Sequence, residues 1–85
     1  MQFLDRIKAI ESRAGVVNLS LFQLCREAGV DYVRVYRWKT GENSPTVNLL
    51  ERHLGALERK LTELEERMRE ALALASSVPS ENHAA

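Results

Sequence analysis

"GVDYVRVYRWKTG", residues 29–41, sets two arginines, a lysine and two tyrosines among valines and a tryptophan, with a glycine at each end. Asp31 has the short acceptor side chain that caps a helix start by taking up a free first-turn amide. A helix is therefore expected over Tyr32 to Lys39, although valines and aromatics are mediocre helix formers and need tertiary contact to hold them. Val35 and Trp38 stand three apart on one face of that helix. Tyr32, Val33, Arg34, Tyr36, Arg37 and Lys39 occupy the rest of its surface. One face suits a core, and the other suits an external target.

Working outward, "LFQLCREA" (21–28) reads as a short helix capped by Ser20 or Asn18 and stopped by Gly29. Upstream, Phe3, Leu4, Ile7, Ile10 and Ala14 recur at helical spacing, predicting a first helix from about residue 2 to 14 that ends in a left-handed cap at Gly15. Downstream, "TGENSP" is a turn, and Ser44 or Thr46 caps a long helix that starts after Pro45 and runs to about residue 75. "SSVPSENHAA" reads as a polar, disordered tail. The expected fold class is all-α: a helix-turn-helix body of about four helices, the last extending into a parallel dimeric coiled coil. Its expected divisions are 1–56 for the helix-turn-helix domain, 57–75 for the dimerisation helix and 76–85 for the tail.

Composition excludes several classes. Twelve basic and twelve acidic side chains cancel in the 85-residue chain, so any nucleic-acid role rests on local charge rather than general attraction. A chain this short buries only about 60% of its unfolded surface and is expected to need a partner. The single cysteine, Cys25, permits no internal disulfide, and neither His53 nor His83 has cysteine partners at metal-ligand spacing. No metal, cofactor or small-molecule ligand is expected. Without a nucleophile beside a base, or carboxylates paired in a cleft, no enzyme is expected either. No apolar run approaches the ~20 residues of a membrane span, so a soluble, unexported protein of the reducing cytoplasm or nucleoid is anticipated, with no membrane partner.

Two short helices joined by a tight glycine-bearing turn form the helix-turn-helix, whose second helix enters the DNA major groove. Leu24, Cys25, Ala28, Val30, Val35 and Trp38 stand where its inward side chains are expected. Residues 19–57, "LSLFQLCREAGVDYVRVYRWKTGENSPTVNLLERHLGAL", resemble the Cro/repressor-type (XRE) helix-turn-helix domain. The resemblance lies in the small Ala28-Gly29-Val30 turn, the polar cap Asp31 and the anchors Val35 and Trp38. Gly41 and Pro45 follow at the family's usual spacing, with Leu50 and Leu57 in helix four. Three departures stand out: the extra "VVN" between the first two helices, Cys25 at a place usually given to alanine, and Leu21 where a polar phosphate-binding residue is common.

Carried over, the resemblance implies base-edge contacts from Tyr32, Val33 and Arg37, with Arg34 and Tyr36 touching bases or phosphates according to docking angle. Arginine is the usual bidentate reader of guanine, and valine can pack on a thymine methyl. Lys39, Thr40, Asn43, Ser44 and Thr46, with backbone amides at helix starts, are expected to meet phosphates. The competing view is a solvated charged face in which Arg37 pairs with Glu42 or Asp31. From Ser20 to Thr46 four basic and three acidic residues leave a net +1, thin for DNA binding, so two copies are expected to act together.

The long helix is expected to bring them together. Residues 47, 50, 54, 57, 61, 64, 68, 71 and 75 are apolar, an alternation of three and four that defines heptad a and d positions. Glu51, Glu58 and Glu65 fill e, while His53, Lys60 and Arg67 fill g. In a parallel homodimer His53 would face Glu58, and Lys60 would face Glu65, of the second copy; an antiparallel pair would set like charges together. The dimerisation set is Leu54, Leu57, Lys60, Leu61, Leu64, Glu65 and Met68. Val47, Leu50 and Leu54 are expected to enter the body, the free zipper to begin near Leu57, and Gly55 to sit exposed and mark a bend between the two. On this reading Leu61→Lys yields folded monomers. The alternative folds Leu57, Leu61, Leu64 and Met68 back on helix one.

The expected function is a sequence-specific double-stranded DNA-binding regulator, a repressor or autoregulator acting as a homodimer on an inverted repeat. The resemblance implies the phage or mobile-element setting. The rival is the same fold used as a protein-interaction module, an antirepressor or inhibitor, since tyrosine and arginine are enriched in protein hot spots.

Overall fold

Charges spaced seven residues apart show how the first and last helices lie against each other. The computed structural model describes residues 2–77 as α1 (Gln2–Val16), α2 (Leu21–Ala28), α3 (Tyr32–Thr40) and α4 (Val47–Ser77), with no strand among them. Arg6 donates to Glu58 at 2.8 and 2.7 Å and to Glu51 at 2.7 and 3.0 Å. One heptad on, Arg13 donates to Glu65 at 2.9 and 2.7 Å. Advancing along α1 thus means advancing along α4, so the two helices run parallel. Ile7, Ile10 and Ala14 of α1 share one buried cluster with Leu54, Leu57 and Leu61 of α4, and Val17 and Leu64 pack against it. Ile7, Ile10, Ala14, Leu54, Leu57 and Leu61 are all 1% exposed or less.

The parallel heptad seam expected between two copies is therefore met within one chain, with α1 as the second strand. Arg6 and Arg13 take the g-type places facing the e-position glutamates. This corrects the boundary at residue 57, because the body includes Leu57 and Leu61 as fully buried core residues. Each large aliphatic side chain so buried is worth about 1.5–3 kcal/mol. The members of the expected dimerisation set have separate fates. Leu54, Leu57 and Leu61 belong to the core, Glu65 is bound to Arg13, and Lys60 lies 3.5 Å from Glu63. Leu64 and Met68 stay partly exposed. His53 is also engaged, its Nδ1 2.8 Å from the Leu49 carbonyl and its ring against Trp38 at a 5.4 Å centroid distance.

Other boundaries shift for local reasons. Gly15 does not stop α1, which runs on to Val16; the left-handed residue is Asn18, with φ 63°. Val47 is 74% exposed rather than packed in the body. Gly55 lies within a continuous α4 and is half-buried rather than exposed. Helix continues through Ser76 and Ser77, and the tail expected beyond them lies outside the described residues.

The ion pairs make stability depend on acid. Hydrogen bonds from Arg6 hold the Glu58 and Glu51 carboxyls below their usual range, and the bond from Arg13 does the same for Glu65. Folded-state values below the unfolded ~4.3 mean that this contribution is complete above that pH and is lost as pH falls through the folded values. Arg6→Gln is expected to flatten the stability loss below about pH 4.3. At neutral pH the lost Arg6–Glu58 pair is worth about 1 kcal/mol or less. Urea unfolding at pH 7 and pH 3 checks both; an unchanged acid limb would show that Arg6 does not couple α1 to α4.

Candidate nucleic-acid interface

α2 and α3 are two short helices separated by three residues, and each boundary has a physical cause. Ser20 caps α2 through a reciprocal box: its hydroxyl accepts from the Gln23 amide at 3.1 Å, and the Gln23 side chain accepts from the Ser20 amide at 2.9 Å. Gly29 ends α2 in the left-handed region, φ 70°, which costs a residue with Cβ about 1–2 kcal/mol. Asp31 then caps α3, its carboxylate accepting from the Val33 amide at 3.1 Å. Gly41, φ 85°, closes α3. Between the caps, Val35 and Trp38 are buried and hold helical a segment that propensity alone would not. In α2, Leu21, Leu24 and Cys25 are buried, with Ala28 and Val30 packed against the cluster. Burial pushes the Cys25 thiol up to about 11, the setting of an inert thiol.

The opposite face of α3 turns outward. Val33 is 52% and Tyr36 43% exposed, and Arg34 and Arg37 are exposed beside them. Tyr32 is half-buried, its ring 5.8 Å from that of Tyr36. Among the described residues Arg34 has no ion-pair partner, whereas Arg37 lies 3.7 Å from Glu42. That pair is loose, with side chains 53% and 62% exposed, and a surface pair of this kind is worth about 0–1 kcal/mol.

Between α3 and the start of α4 lies an open cleft of about 360 Å³ lined by Arg34, Arg37, Asn43, Ser44 and Thr46. Most of the expected phosphate-contacting set is thus gathered beside both arginines. Thr46 caps α4, its hydroxyl accepting from the Leu49 amide at 3.3 Å. Asp31 also lines the cleft and opposes an anion there. Two expected phosphate ligands stand apart. Lys39 is held by Glu11 at 2.7 Å, and the Thr40 hydroxyl donates to the Arg37 carbonyl at 3.3 Å.

The residue pattern alone does not single out Phe22 of α2, which borders this face. Phe22 is 48% exposed and meets Tyr32 edge to face at a 5.2 Å centroid distance, with the Arg26 guanidinium 5.8 Å from its centroid. The signal was there, since Phe22 and Arg26, four apart, lie opposite the buried stripe of α2. Its meaning required knowing that Tyr32 lies against it.

Compared with known protein families, curated proteins and solved structures, the chain matches none. Among the described residues no helix is long and apolar enough to cross a membrane, and no cluster of metal-ligating side chains occurs.

Proposed function

We propose that the chain is a sequence-specific double-stranded DNA-binding regulator of the helix-turn-helix type. The observation that supports it most is the division of α3, with Val35 and Trp38 buried while Val33, Arg34, Tyr36 and Arg37 face outward beside a cleft lined by Asn43, Ser44 and Thr46. In this reading α3 enters the major groove and the arginines take guanine O6 and N7 in bidentate pairs. Asn43, Ser44 and Thr46 meet the phosphates that set register. Near-neutral charge makes a single copy weak, so the protein acts as a homodimer on an inverted repeat with half-sites about 10–10.5 base pairs apart, or a multiple of that. With Leu57 and Leu61 committed to the core, the contact between copies falls on the part of α4 beyond α1. Met68 is partly exposed there, and Leu72 and Leu74 are 63% and 68% exposed. Occupying promoter DNA would repress transcription.

Exposed Phe22 and Tyr36 favour one second reading, a protein-docking face, since aromatics dominate protein hot spots. Selection from random duplex DNA at physiological salt separates the two. An enriched inverted repeat is the expected result. Absence of any enriched sequence with folded protein would end the DNA reading in favour of a protein partner.

A further inference from the structure

The outward face of α3 is poor in hydrogen-bonding side chains of one particular kind. Between Tyr32 and Thr40 there is no asparagine, glutamine, aspartate or glutamate. Adenine N6 and N7 are read by a carboxamide, and cytosine N4 by a carboxylate, so α3 lacks the usual readers of both. What it presents beside its two arginines, over the first two turns, is the valine side chain of Val33 and the tyrosine rings, whose only polar atom is the phenol oxygen at the tip. Val33 and Tyr36 are about half exposed, and Tyr32 is braced between Tyr36 at 5.8 Å and Phe22 at 5.2 Å. In the major groove the apolar feature of a base pair is the thymine 5-methyl group, which distinguishes T·A from every other pair there.

We infer that A·T pairs in the bound DNA are recognised through thymine 5-methyl groups by Val33 and Tyr36, with Phe22 and Tyr32 as positioning residues that hold the Tyr36 ring, while the arginines read guanines. This rests on the DNA-binding reading above and deepens it. A ladder of three aromatic rings anchored on α2 restricts the side chains that must meet the methyl groups, and each buried methyl-sized group is worth about fourfold in affinity.

The test uses the full chain and the duplex enriched by selection, prepared with thymidine or with deoxyuridine, which keeps every hydrogen-bonding group and removes only the methyl. The expected result is at least a tenfold weaker complex with the deoxyuridine duplex. Val33→Ala/Tyr36→Ala, both at exposed positions, should bind the two duplexes within about twofold of each other with its helical circular dichroism intact. Phe22→Ala should narrow the difference without abolishing binding, an effect that stability alone would not produce. Equal binding of both duplexes by the unaltered protein would overturn the inference and leave DNA binding standing. Failure to enrich any sequence would overturn both, and the two failures are distinguished at the selection step.

Discussion

Leu61→Lys is expected to unfold the body rather than to release a folded monomer. Leu61 is fully buried and stands in register with Ala14 of α1, one turn from the Arg13–Glu65 pair. Removing a buried leucine side chain costs about 2–5 kcal/mol, and an ammonium group there has no carboxylate in the core to meet it, which adds to the loss. A chain of this length has roughly 4–13 kcal/mol of total stability, so most of it is spent. Far-UV circular dichroism and a thermal melt should show loss of helix and of the cooperative transition. The contrast is Met68→Lys on the projecting part of α4, expected to change stability by no more than about 0.5 kcal/mol while lowering the light-scattering mass from dimer to monomer. A fully helical, monomeric Leu61→Lys variant would instead restore the zipper that begins at Leu57.

The second large effect is expected from Arg34→Ala/Arg37→Ala. Both side chains are exposed, and among the described residues only Arg37 of the two has an ionic partner, 3.7 Å away, so the variant should melt as the parent does. Each bidentate arginine–guanine pair is worth about 1–3 kcal/mol and recurs in both half-sites, so operator affinity should fall at least a hundredfold. Titrations at several salt concentrations then assign the contacts. Base-reading arginines leave the salt slope nearly unchanged, whereas each arginine lost from a phosphate reduces it by about one. Unchanged affinity would remove this face of α3 from DNA recognition.

The charge pattern at the e positions of α4 asks for basic groups on a parallel neighbouring helix, and within this chain Arg6 and Arg13 of α1 meet those glutamates. Heptad spacing specifies what a helix face requires and not which chain supplies it. The complementary stripe of Ile7, Ile10 and Ala14, with Arg6 and Arg13 beside it, was equally visible in α1. Loop closure within one chain costs a fixed, modest entropy that does not depend on concentration, whereas association of two chains does. Phe22 shows the same limit on a smaller scale, since its place on α2 was legible but its contact with Tyr32 was not.

Local chemistry determined the Asp31 cap, the glycine stops at 29 and 41, and the apolar faces that carry Leu24, Cys25, Val35 and Trp38. Each depends on neighbours within about four residues and on helical period, which sequence records directly, whereas α3 also needs the burial of Val35 and Trp38 to stay helical. Only the tertiary structure decided that α1 lies along α4, that Lys39 is held by Glu11, and that Asn43, Ser44 and Thr46 gather beside the arginines. Those relations join residues far apart in the chain, and which of several compatible faces meet is settled by burying the most apolar area while charged side chains stay at its partly exposed margin.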